Sequence, residues 1–319
     1  MAIIVHKYGG TSMGSIERIK NVARRVAKWH RAGYQMVVVV SAMSGETNRL
    51  IGLAKEIMPN PDPRELDVIA STGEQVSIGL LAMALKSIGV EAVSFNGSQV
   101  AVHTDSAFTK ARIESIDSEP VKRELDAGKV VIVAGFQGRD AAGNVTTLGR
   151  GGSDTTAVEL AAALNADRCE IYSDVDGIYT ADPRLVTGAL RLERIDYADM
   201  LALALHGSQV LHSRSVAAAM RSGVSVHLLS SFTRREGTVM GSFSDRPELC
   251  GVTRDKARST VSIVGRGADA NTLAEAVGIL AHSDIIVTST ELFDGGCSIR
   301  VSPDKLLPAL ELTHRRFFR

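Results

Sequence analysis

The chain has 319 residues, 45% of them hydrophobic and 23% charged, which suits one large domain plus a small one in an ordinary soluble globular fold. Lys and Arg number 36 and so do Asp and Glu, so no net field draws the chain to nucleic acid or a membrane, and a polyanionic ligand has to be held by local geometry. The three cysteines, Cys169, Cys250 and Cys297, lie far apart and suggest neither a zinc site nor a disulfide scaffold. The opening Met-Ala-Ile-Ile-Val-His-Lys carries a charge too early for a secretory segment, and no apolar run approaches the ~18 residues needed to span a bilayer. A cytoplasmic location is expected.

In chain order, short apolar runs alternate with longer amphipathic ones. Ile3-Ile4-Val5 reads as a strand ended by Gly9-Gly10. From Ser15, a suitable N-cap, Ile19, Val22, Val26 and Trp29 recur at helical spacing, with Gly33 beyond the end. Met36–Val40 is unbroken and mostly β-branched, the mark of a strand buried on both faces. The pattern then predicts helices over 74–87, 121–127 and 154–164, and strands over 91–95, 130–134 and 169–172. Such alternation predicts the α/β class: an open, mostly parallel sheet sandwiched by helices.

The character changes near residue 250. Ser242–Glu248 is polar and turn-rich and reads as a linker. Beyond it, strands over 260–264, 285–288 and 298–301 and helices over 272–281 and 305–317 make a βαββα unit of about 70 residues, enough for a small α+β domain. The expected domains are therefore 1–245 and 251–319.

In a parallel α/β sheet, ligands collect at the carboxyl ends of the strands. Lys7-Tyr8-Gly9-Gly10-Thr11-Ser12 leaves the first strand, and its glycines let the backbone approach a phosphate while Lys7 adds a point charge. Gly-Gly after a strand is equally a tight turn when taken alone. It matches neither the dinucleotide fingerprint nor the Walker pattern, which argues against both. Ser41–Asn48 brings hydroxyls and an amide that suit a polar substrate or any turn. In Ser71-Thr72-Gly73-Glu74-Gln75, Glu74 either supports a helix dipole or binds an ammonium group. Thr146–Asp154 is the strongest segment: three glycines surround Arg150, suited to clamp a carboxylate, and offer a nest for oxyanions. Asp154 then orients either Lys7 or a magnesium ion. In Tyr172–Arg184, Asp174 and Asp176 are turn formers or magnesium-phosphate partners, and Asp182-Pro183-Arg184 places a charge on a rigid turn.

Together these segments resemble the aspartate kinases of the amino acid kinase family. Lys7–Ser12 looks like the family's opening Lys-[Phe/Tyr]-Gly-Gly-Thr-Ser, and Thr147–Asp154, Tyr172–Gly177 and Asp182-Pro183-Arg184 look like its later signatures, in order through about residue 240. The resemblance implies ATP-dependent phosphorylation of L-aspartate to 4-phospho-L-aspartate, in lysine and threonine biosynthesis, with Mg²⁺ accompanying ATP. It implies Lys7 as the catalytic lysine, Asp154 as the residue that holds the catalytic groups, and Thr47, Glu74, Arg150 and Ser153 on the acceptor. It further implies Gly9, Gly10, Ser41, Ser173, Asp174, Tyr179, Asp182 and Arg184, with Lys7, on the nucleotide. No metal is expected to be held by a dedicated protein cage. Where the family often has a second lysine, this chain has Leu190 and Arg191, and Arg191 keeps the charge. A carboxylate acceptor is already ionised, so the scattered histidines, His6 and His103 among them, read as structural.

Aspartate kinases usually end in two tandem ACT modules, and residues 251–319 have room for about one. Its first turn, Gly265–Ala270, lacks the family's Asp-x-Pro-Gly effector loop, so feedback by lysine or threonine is not expected. ACT modules associate side by side and cover a sheet edge. A homodimer is therefore expected, using Ile285-Ile286-Val287 and Leu306, Leu307, Leu310 and Leu312, unless those leucines fold back on their own chain. The alternative functions are a paralogue acting on another amino-acid carboxylate or a carbamate, or a non-catalytic regulatory protein. The last would be expected to have lost Lys7, Arg150 or Asp154, and all are present.

Overall fold

The computed structural model describes residues 1–318; Arg319 lies outside them. By contacts the chain divides into two compact units, one of Met1–Val175 with Arg221–Arg235, the other of Asp176–Met220 with the residues from Glu236 on. Residues 176–220, expected within the domain ending near 245, thus group with the carboxyl-terminal module.

The first unit opens with β1 (Ile3–Tyr8) and α1 (Ile16–Arg31), whose Ser15 cap accepts from the Arg18 N–H at 3.3 Å. β2 (Gln35–Val40) follows, with Met36–Val40 fully buried as an apolar run of that kind requires. Then come α2 (Glu46–Ile57), α3 (Pro63–Ala70), α4 (Thr72–Lys86), β3 (Ala92–Phe95), β4 (Val102–Thr104), β5 (Ile113–Ile116) and α5 (Glu119–Asp126). β6 (Val130–Ala134), β7 (Gln137–Arg139), β8 (Val145–Thr147), α6 (Gly152–Leu164) and β9 (Arg168–Ser173) complete the run. β1 lies at the centre, paired in parallel with β2 and β9, and β6 and β3 extend the sheet beyond β2 in the same sense. Residues 226–230 run parallel to β9 on the other side. This is the expected open parallel sheet.

Alternation along β1 sorts its side chains by face. Ile4 and Tyr8 join Met36, Val38 and Val40 in a core closed by Ile19, Val22 and Val26 of α1 and Ile78, Leu81 and Leu85 of α4. Lys7 faces the other way, toward α6. A second sheet, β5-β4-β7-β8, has strands of three or four residues and only partial polar-apolar alternation, too short to signal themselves in sequence. Pro63–Lys86 is long and apolar enough to match a membrane span by length and composition, contrary to the sequence expectation. Half of its most apolar 18-residue window is buried in the fold, and the segment carries the buried carboxylates Asp67 and Glu74.

In the second unit, β10 (Arg194–Asp196) leads into α7 (Tyr197–Leu205). Then comes α8 (Ser213–Ser222), of which all but the last two residues belong to this unit; β11 (Val226–Ser230) belongs to the first unit, and β12 (Thr238–Gly241) pairs in parallel with β10. The carboxyl-terminal module comprises β13 (Gly251–Asp255), β14 (Thr260–Val264), α9 (Ala270–His282), β15 (Ser289–Phe293), β16 (Gly296–Arg300), a 3₁₀ turn at Pro303–Lys305 and α10 (Leu306–Phe317). Its antiparallel sheet runs β13-β14-β16-β15.

The strand expected at 285–288 forms instead at Ser289–Phe293, because the two-residue Asp294-Gly295 turn, with Gly295 at φ +84°, pairs Phe293 with Gly296 and sets the hairpin register. Leu306 and Leu310 are buried in the module's own core, so most of the leucine surface expected to carry self-association is used inside.

The stretch Ser242–Glu248 is pinned rather than loose. Phe243 N–H donates to Asp196 at 3.0 Å, and Arg246 reaches both oxygens of buried Asp199, at 2.5 and 3.1 Å. Arg246→Ala would strand that carboxylate. Since the arginine side chain is 25% exposed, the expected loss is about 3 kcal/mol, the low end for a broken buried pair. Urea unfolding checks this, and Asp199→Asn added to Arg246→Ala is expected to recover part of the loss.

Candidate active site

At the carboxyl end of the parallel sheet, the loops singled out in sequence meet one another. Ser41 N–H donates to the Tyr8 carbonyl at 3.1 Å, and a side chain at Gly10 would come within 3.1 Å of the Ala42 carbonyl, so the loops after β1 and β2 touch. The Ala42 N–H in turn donates to Glu74 Oε1 at 3.0 Å, which ties in the start of α4. Gly9 N–H donates to the Tyr172 carbonyl at 3.2 Å, and Ser231 N–H to the Ser173 carbonyl at 2.8 Å. Ser12 and Ser231 share a hydroxyl contact at 2.5 Å.

Lys7 projects from the middle of the sheet with its side chain 9% exposed, and its Nζ lies 2.5 Å from Asp154 Oδ1. Asp154 is the third residue of α6, where the helix dipole favours a carboxylate. The glycine loop before it turns through Gly149 and Gly151, at φ +72° and +71°, a conformation side chains resist. The amides of Gly10 and Thr11 in one loop, and of Arg150 and Gly151 in the other, donate to no acceptor among the described residues. Arg150 is exposed, with no hydrogen bond or ion pair among those residues. Lys7, Gly9, Gly10, Ser41, Glu74, Ser153 and Asp154 are thus brought together, while Thr47 sits half-buried in the first turn of α2 and Asp174 is exposed just past β9.

Glu74 is 2% exposed and its Oε2 has no partner; burial pushes its carboxyl up to about 7, against the pull of the Ala42 amide. Asp67 has no counterpart among the residues picked from sequence. Its buried carboxylate accepts from Thr109 N–H and from both the amide and the hydroxyl of Thr147, at 2.8 and 2.6 Å. It therefore anchors the entrance of the glycine loop. Burial raises its carboxyl, opposed by these donors. One acid within a short helix gave no sign of this. Ser231 had a weak one: two serines end an apolar run, as Ser41 ends Met36–Val40.

On the opposite face of β1, His6 is fully buried, with Nε2 3.0 Å from Glu170 and Nδ1 3.2 Å from the Tyr8 hydroxyl. Tyr172 donates to Glu170 at 2.7 Å. Burial alone would raise the Glu170 carboxyl, but His6 and the Tyr172 hydroxyl hold it down to about 2. His6 is structural: it ties β1 to β9.

Tyr179, Asp182 and Arg184 belong to the second unit. The Tyr179 hydroxyl donates to Asp176 at 2.8 Å, and Asp182 accepts from the Arg184 amide and guanidinium. Arg191 donates to the Gly237 carbonyl.

A parallel sheet with glycine loops, a buried lysine and a helix-borne aspartate at its carboxyl end defines an α/β protein built to hold an anionic group. Residues 2–230 match the amino acid kinase family, and the chain belongs to it. It is 56% identical over 268 residues to the aspartokinase of Pseudomonas aeruginosa, covering 82% of this chain and 65% of that protein. It is 47% identical over 291 residues to the aspartokinase of Corynebacterium glutamicum, covering 89% and 69%. Among solved structures, E. coli aspartokinase III in complex with aspartate and ADP gives a TM-score of 0.73 at 28% identity, over 93% of this chain and 78% of that one. The chain spans 65% of the length of the Pseudomonas relative.

Glu74 generates a stability prediction. A carboxyl whose folded-state pKa is raised favours the native state while protonated; that contribution is full below about 4.5 and is lost as pH rises through about 7. Glu74→Gln is therefore expected to stabilise the protein above pH 7, by on the order of 1–3 kcal/mol, and to flatten the profile between those values. Thermal unfolding across pH 5–8 measures it; a variant that parallels the parent at every pH contradicts the assignment.

Proposed function

We propose that the protein transfers the γ-phosphoryl group of ATP to the side-chain carboxylate of L-aspartate. The observation that carries this reading is the largely buried Lys7–Asp154 pair set beside two glycine loops in which the amides of Gly10, Thr11, Arg150 and Gly151 face no acceptor among the described residues. The aspartokinase relatives supply the acceptor, and the solved relative binds aspartate and ADP.

The acceptor carboxylate is ionised, so the protein supplies position and charge rather than a strong base. Lys7 neutralises charge on the group in transfer, Asp154 holds its ammonium in place, and the free amides of Gly10, Thr11, Arg150 and Gly151 donate to oxygens on which charge develops, with Gly9 keeping the first loop close to the phosphates. Arg150 grips an acceptor carboxylate as a planar fork, Glu74 takes the ammonium, and Thr47 and Ser153 line the same place. Ser41, Ser173, Asp174, Tyr179, Asp182 and Arg184 serve the nucleotide. Magnesium would arrive with ATP. The ion would be carried mainly by phosphate oxygens, with exposed Asp174 as the carboxylate that would hold it. It supplies charge neutralisation on the phosphates when bound. The reading carries a cytosolic location with it. It also carries self-association through the exposed edge strand β15, where Leu292 is 54% exposed; a chain that remains monomeric by light scattering would remove that part.

Acyl phosphate trapped with hydroxylamine, across a panel of amino acids and carbamate, is expected to appear with aspartate. A different acceptor would overturn the choice of substrate. Lys7→Ala is expected to lower kcat by roughly 10²-fold or more while aspartate KM changes little; near-normal kcat would remove Lys7 from catalysis. Arg150→Lys is expected to raise the acceptor KM and leave ATP alone, since an ammonium cannot reproduce the fork. Because only ionised Glu74 attracts an ammonium group, aspartate KM is expected to fall as pH rises from 6 to 8, a trend that Glu74→Gln abolishes.

A further inference from the structure

Residues 176–191, which carry Tyr179, Asp182 and Arg184, form no regular element beyond a single bridge between Tyr179 and Arg191. Their order comes from elsewhere in the second unit. Ala181 and Val186 are buried in the same core as Val252, Val261 and Ile263 of β13 and β14, Ile299 of β16 and Leu306 and Leu310 of α10, with Leu185 and Ala189 packed against it. The Thr180 carbonyl accepts from the Val252 N–H at 2.7 Å, so the segment covers one edge of the module's sheet.

Thr180 is also held by its side chain. Its hydroxyl is 2.9 Å from the Leu190 N–H, which it accepts, and 2.8 Å from Nε2 of His314 on α10. Thr180 and His314 are 4% and 3% exposed, and the imidazole stacks on Phe318 with centroids 5.3 Å apart. The hydroxyl accepts from the Leu190 N–H; with a neutral ring protonated at Nδ1 it donates its own proton to Nε2, and with the other tautomer it accepts from Nε2 through its second lone pair. Burial lowers the imidazole's pKa and so favours the neutral ring.

We infer that His314 is a positioning residue for nucleotide binding: through Thr180 it fixes the segment that presents Tyr179, Asp182 and Arg184, which makes the carboxyl-terminal module part of the nucleotide site's support. This rests on the reading of those three residues given under the proposed function. The buried hydrogen bond from α10 adds a fixed point to those the segment already has at Val252 and Leu190, which serves a segment that must keep one shape for its ligand.

The test uses the full chain and MgADP as probe, with titration calorimetry for its affinity, steady-state KM for aspartate and thermal unfolding alongside. His314→Phe keeps the ring stack on Phe318 and removes the hydrogen-bond partner of Thr180. It is expected to weaken MgADP by roughly 10-fold, the scale of one buried hydrogen bond, with aspartate KM within about twofold. His314→Gln, which can place a hydrogen-bonding atom where Nε2 stands, is expected to restore most of the affinity. Thr180→Val breaks the contact from the other side and is expected to match His314→Phe. Arg184→Ala separates the two layers of the argument. If it weakens MgADP and His314→Phe does not, this inference falls alone; if it leaves MgADP unchanged, the nucleotide assignment falls and takes the inference with it. Equal loss for both ligands, no rescue by glutamine, or failure of both His314→Phe and Thr180→Val to fold would each show a merely structural contact and overturn it.

Discussion

A lysine ammonium lies in the middle of a parallel sheet with less than a tenth of its side chain exposed, and it has to be paired there. Asp154 answers it from the first turn of α6, so the start of that helix must rest against β1. The glycine loop ahead of α6 is thereby brought in front of the strand's carboxyl end, beside Gly9 and Gly10. Asp67 holds the loop's other end through Thr147. Two carboxylates, buried Asp67 at one end of the loop and partly buried Asp154 at the other, thus convert a flexible glycine run into a fixed array of amides. The same strand is secured from behind by His6 and Glu170, so β1 has little freedom to move its lysine.

Glu74 occupies a different electrostatic position. Lys7 and Asp154 satisfy one another, whereas Glu74 is buried with one oxygen on an amide and the other on nothing. An unpaired buried acid is unfavourable unless a cation comes to it. In the proposed function the acceptor's ammonium group relieves that cost, and exposed Arg150 takes its carboxylate. An amino acid has both.

The second unit shows how a module that resembles a regulatory appendage can be woven into the rest of its unit. Ala181 and Val186 precede the module's first strand by more than sixty residues in the numbering, yet they complete its core. The turn-rich stretch 242–248 looked like a linker because it is polar, and polarity is also what Arg246 needs to reach buried Asp199. Composition alone does not distinguish the two.

From sequence alone came the parallel sheet, the strand-to-loop sites and most of the helices, because these depend on spacing over a few residues: valine runs buried on both faces, apolar stripes at helical period, glycines where φ is positive. The lysine and the glycine loop were legible for the same reason. Only the tertiary structure decided the roles of Asp67, Ser231, Thr180 and His314, the raised carboxyl of Glu74, and the strand at 289–293 rather than 285–288. Each depends on which distant residue lies opposite, on how deeply a group is buried, or on a turn that sets register. Those are properties of the packed chain, and no local pattern carries them.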